Sequence, residues 1–95
     1  MYVIIIGAGR VGLNLAQSLI REGLTVTIIE NDYNISEEVA SDIDAMVIRG
    51  DATSLQILED ADISDADVVV VATGDDKVNL LSAALCKTYS NIKKI

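Results

Sequence analysis

Tyr2–Gly12 reads YVIIIGAGRVG, an apolar, β-branched run that breaks into a loop with glycine at positions 7, 9 and 12. An unbroken apolar run of this kind suits a strand buried on both faces, as in parallel sheets, whereas a half-exposed strand alternates. The helix expected after the loop, to about Glu22, carries Gly12, Leu15, Ala16, Leu19 and Ile20 on one face at i, i+3, i+4, i+7, i+8 spacing. Gly23 stands where a helix C-terminal glycine belongs. A glycine loop alone is weak evidence. Strand before it and amphipathic helix after it make it specific.

The same alternation continues outward. Leu24–Glu30 reads as a second strand, Ser36–Asp42 as the core of a short polar helix, and Ala45–Arg49 as a third strand ended by Gly50-Asp51-Ala52-Thr53. Ser54–Asp60 reads as a short helix, Asp67–Ala72 as a buried strand with four consecutive valines, and Asp75 to about Ser90 as a longer helix. Ile92–Ile95 reads as a strand barely begun. Strand–helix alternation implies right-handed crossovers, and so an α/β, Rossmann-type doubly wound parallel sheet. The strand order is expected to start 3-2-1-4, with a ligand crevice at the carboxyl ends where the order reverses. No linker, low-complexity tract or repeat divides the chain, so residues 1–95 are expected to form a single domain. Its end inside a fifth strand leads us to expect a domain truncated at the C-terminus.

Composition narrows the chemistry. The 95 residues are 51% hydrophobic, with no histidine, no proline and one cysteine, Cys86. Imidazole catalysis and histidine-ligated metals are thereby excluded from the chain's own chemistry. A single cysteine fits a reducing, cytoplasmic setting. The net charge of −8 opposes binding to nucleic acid or anionic lipid. The apolar run at the N-terminus lacks a basic leader and meets a glycine turn at once, so a signal peptide is not expected.

Each glycine has its own mechanical task. Gly7 permits the tight turn off the strand, Gly9 lets the backbone approach a pyrophosphate, and Gly12 allows close helix–sheet packing. The diphosphate would meet the unpaired N–H groups and positive end of the helix. Glu30, at the end of the second strand and 18 residues after Gly12, suits ribose hydroxyls and repels a 2′-phosphate. Asn31 and Asp32 follow it rather than an arginine, which disfavours NADP. Arg10 can swing over the diphosphate. Asp51, Thr53, Thr73 and Gly74 are expected at the same rim, near adenine and phosphates. Thr53 or Ser54, and Asp75, could equally serve as helix caps.

Other features carry less. The acidic stretch Glu59–Asp67 lacks the Gly and Glu spacing of a calcium loop and reads as a solvated turn. Cys86 lies among Leu81, Ala84 and Leu85, as a buried inert thiol would. Lys87, Lys93 and Lys94 complement a helix C-terminus and its exit. No acid/base constellation for hydride transfer is present, so the chain is not expected to be an enzyme. The alternatives are a cofactor-binding fragment of an NAD-dependent oxidoreductase and, less well supported by Gly12, an S-adenosylmethionine site.

The GAGRVG loop, Glu30, the Gly50-Asp51-Ala52-Thr53 block and the run Ala72-Thr73-Gly74-Asp75-Asp76 with Asn79-Leu80 together resemble the TrkA-N (KTN) domain. That family comprises nucleotide-binding regulatory domains of prokaryotic potassium-uptake systems, related to channel gating domains. The resemblance implies a cytoplasmic, non-catalytic domain that binds NAD(H), or ATP/ADP, and gates an integral-membrane potassium transporter or channel. It implies that Gly7, Ala8, Gly9, Arg10 and Val11 hold the diphosphate and that Glu30 holds the adenosine ribose. Asp51 and Thr53 would lie near adenine, and Thr73 and Gly74 by the phosphates and distal half. It also implies a homo-oligomer at the inner face of the membrane.

Overall fold

The computed structural model describes residues 1–88. β1 (Tyr2–Ile6) lies inside a parallel sheet, between β2 (Thr25–Glu30) and β4 (Val68–Val71), and β3 (Met46–Arg49) flanks β2. The order is 3-2-1-4, as the alternation predicts. Helices α1 (Arg10–Arg21), α2 (Tyr33–Asp42) and α3 (Leu55–Asp60) lie in the crossovers between the strands, the last with a 3-10 turn at Ile63–Asp65, and α4 (Asp76–Thr88) follows β4. The fold is a Rossmann-type doubly wound sheet.

The apolar run of β1 supplies both cores. Ile4 and Ile6 point into one, with Ile29, Leu58, Val69 and Cys86. Val3 and Ile5 point into the other, with Val26, Ile28, Ala16 and Val39. Successive strand residues face opposite sides, so a strand covered on both faces has no position left for a polar side chain. Across the first core, the Tyr2 hydroxyl reaches Thr27 Oγ1 and Ala61 O, tying β1 to the segment after α3.

The element ends show local chemistry at work. Gly23 has φ +86, and Gly23 N and Leu24 N donate to Ile20 O and Leu19 O, closing α1 with a Schellman motif. α2 starts at Tyr33, before the expected core at Ser36, because Asp32 Oδ1 accepts Ile35 N at 3.0 Å and caps the helix. Asp75 caps α4 in the same way, accepting Lys77 N and Val78 N. Ser54 is the residue before α3, yet neither it nor Thr53 caps that helix through its side chain. The expected fifth strand, and the fourth helix beyond Thr88, lie outside the described residues. Among the described residues no helix is long and apolar enough to cross a membrane.

Candidate functional site

At the carboxyl rim of the strands the four connections surround a cleft of about 470 Å³, within the range of small-molecule sites. β1 and the loop after it contribute Ile6, Gly7 and Gly9; β2 and the residue after it contribute Ile29, Glu30 and Asn31. Gly50, Asp51 and Ala52 follow β3, and Ala72 to Asp75 follow β4, with Ile35 and Val78 completing the walls. Strand order explains the convergence. β1 turns toward α1 while its neighbours β2 and β4 send their helices to opposite faces, so the connections part and leave a crevice.

The glycine loop is built by steric exclusion. Gly7 has φ +105, and a Cβ there would stand 2.5 Å from Ala72 O, so loop and β4 end are in backbone contact. A Cβ on Gly12 would lie 2.0 Å from Gly7 O. The close approach is thus mainly helix to loop, with Ile5 of the sheet next at 3.4 Å. Gly9 differs: a Cβ there would meet nothing within 4 Å, leaving an open cradle beside the first N–H groups of α1.

Glu30 reaches into that loop. Its Oε1 accepts Ala8 N at 2.8 Å, and its Oε2 accepts Asp32 N at 2.8 Å. One carboxylate therefore joins the β1–α1 and β2–α2 connections, with its remaining lone pairs available to a ligand. Asp51 Oδ1 accepts both Thr53 N at 2.8 Å and Thr53 Oγ1 at 2.7 Å. The Thr53 backbone N–H, then its hydroxyl, hold the Asp51 carboxyl below its ordinary range, with slight burial opposing them.

Of the residues expected at the site, Gly7, Gly9, Glu30, Asp51, Thr73 and Gly74 line the cleft. Ala8 is buried, its N–H turned to Glu30. Gly12 is buried under Gly7, while Arg10 and Val11 are exposed on the first turn of α1 outside the lining. Thr53 lies beside Asp51 rather than in the wall. Sequence reasoning missed Ile35 and Val78; the Asp32 cap would have placed Ile35 in the first turn of a helix. It also missed a cation. No arginine follows Glu30, but the sheet register makes Arg49 its partner across β2 and β3. The Arg49 guanidinium lies 5.7 Å from the centre of the Tyr33 ring and does not line the cleft. Among the described residues no group of three or more acidic or cysteine side chains could hold a metal ion.

The family model of the TrkA-N domain matches residues 3–95. A Trk system potassium uptake protein TrkA homolog of Methanothermobacter thermautotrophicus is 52% identical over 90 residues, 95% of this chain and 42% of that protein. The Trk system potassium uptake protein TrkA of Haemophilus influenzae is 33% identical over 91 residues, 96% of this chain and 20% of that protein. The chain thus spans less than half the length of these curated relatives. Among solved structures, the Shewanella denitrificans Kef CTD in AMP-bound form superposes with TM-score 0.81 and 27% identity. That match covers 99% of this chain and 58% of the other. Yeast methylglyoxal/isovaleraldehyde reductase Gre2, complexed with NADPH, has TM-score 0.68 at 16% identity over 94% of this chain and 34% of its own, a likeness of fold alone.

Proposed function

Because the chain belongs to the TrkA-N domain family, we propose that it is a nucleotide-binding regulatory domain of a potassium-uptake system, which binds NAD(H) or ATP/ADP without reacting it. The observation that carries this reading is the cleft at the strand carboxyl ends. There the open cradle at Gly9, at the N-terminus of α1, lies in the same wall as the Glu30 carboxylate. Anion-seeking N–H groups and a ribose-accepting acid in one crevice are the chemistry an adenine nucleotide needs. The AMP in the Kef structure, 27% identical to this chain, supports an adenosine-containing ligand.

In this reading Gly7, Ala8, Gly9, Arg10 and Val11 form or flank the diphosphate seat, with Gly12 keeping α1 close beneath it. Glu30 receives the ribose, Asp51 braced by Thr53 borders the adenine, and Thr73 and Gly74 border the far side. The ligand supplies no chemistry; its binding energy is the signal. A ligand moves an equilibrium only by binding one arrangement better than another, so gating rests on a difference in affinity between two arrangements of the assembly. The relatives' names point to a membrane potassium transporter as partner. The domain would then sit on the cytoplasmic face through that partner. Leu80 and Leu81, 73% and 54% exposed on α4, support assembly into a homo-oligomer.

A thermal-shift panel of NAD, NADH, NADP, ATP, ADP and S-adenosylmethionine tests the proposal. A ligand at about 100 times its Kd adds about 2.7 kcal/mol, several degrees for a domain of this size. Stabilisation by NAD(H) or by ATP/ADP is expected. Selective stabilisation by S-adenosylmethionine, or none by any nucleotide, would contradict it.

A further inference from the structure

The first two turns of α4 grip the loop that precedes them. Asn79 Oδ1 accepts the Thr73 N–H at 3.1 Å, and Asn79 Nδ2 donates to Thr73 O at 3.1 Å. One carboxamide therefore closes on both backbone polar groups of a single residue. The Thr73 hydroxyl also donates to Asn79 Oδ1 and accepts Asp75 N at 3.2 Å. Helix capping does not account for this, since Asp75 already accepts the N–H groups of Lys77 and Val78. Asparagine is also a poor residue for a helix interior. What Asn79 holds is the loop.

The loop's place in the cleft gives the grip a consequence. The order 3-2-1-4 sets Thr73 across β1 from Glu30 and Asp51, with the glycine loop between them. Loop and glycine turn touch, for a Gly7 Cβ would lie 3.0 Å from Thr73 N. A ligand whose adenosine rests at the β2–β3 side crosses the glycine loop with its phosphates. It meets Thr73 and Gly74 only with the part that lies beyond.

We infer that Asn79 is a positioning residue that presets the Thr73–Gly74 loop, and so favours ligands extending past the α-phosphate over AMP. The inference rests on the adenosine orientation proposed above. A preformed loop avoids the ordering cost that a mobile one would impose on binding.

Titration calorimetry of wild type, N79A and N79L with NAD, ATP and AMP tests it, alongside the melting temperature of each protein without ligand. N79L keeps the branched side-chain shape and puts a better helix former in α4 while removing every side-chain hydrogen bond from position 79 to Thr73. The expected result is that whichever of NAD and ATP binds is weakened by about tenfold in both variants, with AMP within about twofold. Equal weakening of all ligands, or no weakening, would overturn the inference and leave nucleotide binding intact. Wild type binding AMP alone would overturn it too. No binding by wild type would remove the functional reading and the inference together. Failure of both variants to fold would assign Asn79 to stability instead and overturn the positioning role.

Discussion

Glu30 Oε1 accepts a hydrogen bond from the Ala8 N–H at 2.8 Å, joining the end of β2 to the middle of the glycine loop. The acid and the loop are therefore one unit even without a ligand. E30A should act twice. It strands the N–H of Ala8, a residue only 4% exposed, at a cost of about 1–3 kcal/mol. It should also weaken the nucleotide by about tenfold, as loss of a charge-assisted hydrogen bond does. Urea unfolding and calorimetry read the two separately; unchanged stability would contradict the loop-bracing role.

Two glycines of one motif should respond oppositely to alanine. G12A drives a Cβ to within 2.0 Å of Gly7 O, so a loss of about 3 kcal/mol is expected from denaturant unfolding. G9A meets open space at φ −71, so stability should hold within about 0.5 kcal/mol while nucleotide affinity falls. Equal stability losses in both would contradict the steric assignment.

The acid limb of stability should carry a contribution from Asp51. Its folded carboxyl is held below the ordinary 3.8, first by the Thr53 N–H and then by the Thr53 hydroxyl. A lowered folded pKa stabilises above the unfolded value, and the contribution is lost as pH falls through the folded one. The stability difference between wild type and D51N should shrink as pH falls below about 4. Unfolding curves measured from pH 3 to 6 check this, and a constant difference would refute it.

Cys86 is fully buried, and burial raises its thiol to about 11. At pH 8 about one thiol in a thousand is then ionised, and the thiolate is the nucleophile. Alkylation by iodoacetamide should be slow in native protein and fast in urea. Labelling of the folded chain at the rate of a small exposed thiol would contradict the burial.

Legibility followed the range of each interaction. The β1 run, the α1 stripe and the Gly23 stop depend on neighbours within a few residues, and periodicity shows them directly. α2 was harder. Its first turn, Tyr33-Asn34-Ile35, offers no apolar stripe, and only the Asp32 side chain marks its start. The Asp51–Thr53 turn illustrates the same limit, because Thr53, which could cap α3, instead gives its hydroxyl to Asp51.

By itself the sequence determined the strand and helix order, the parallel sheet, and which connections reach one rim. Those follow from side-chain periodicity and the handedness of crossovers, which is right-handed in nearly all parallel strand pairs. Tertiary structure alone decided which partners meet there. Register, not proximity in the chain, sets Arg49 beside Glu30, and the packing of α4 brings Asn79 over Thr73. The carbonyl of Gly7 against Gly12 likewise exists only once α1 has folded back over the loop. Such contacts depend on distances between atoms that no local pattern of residues along the chain displays.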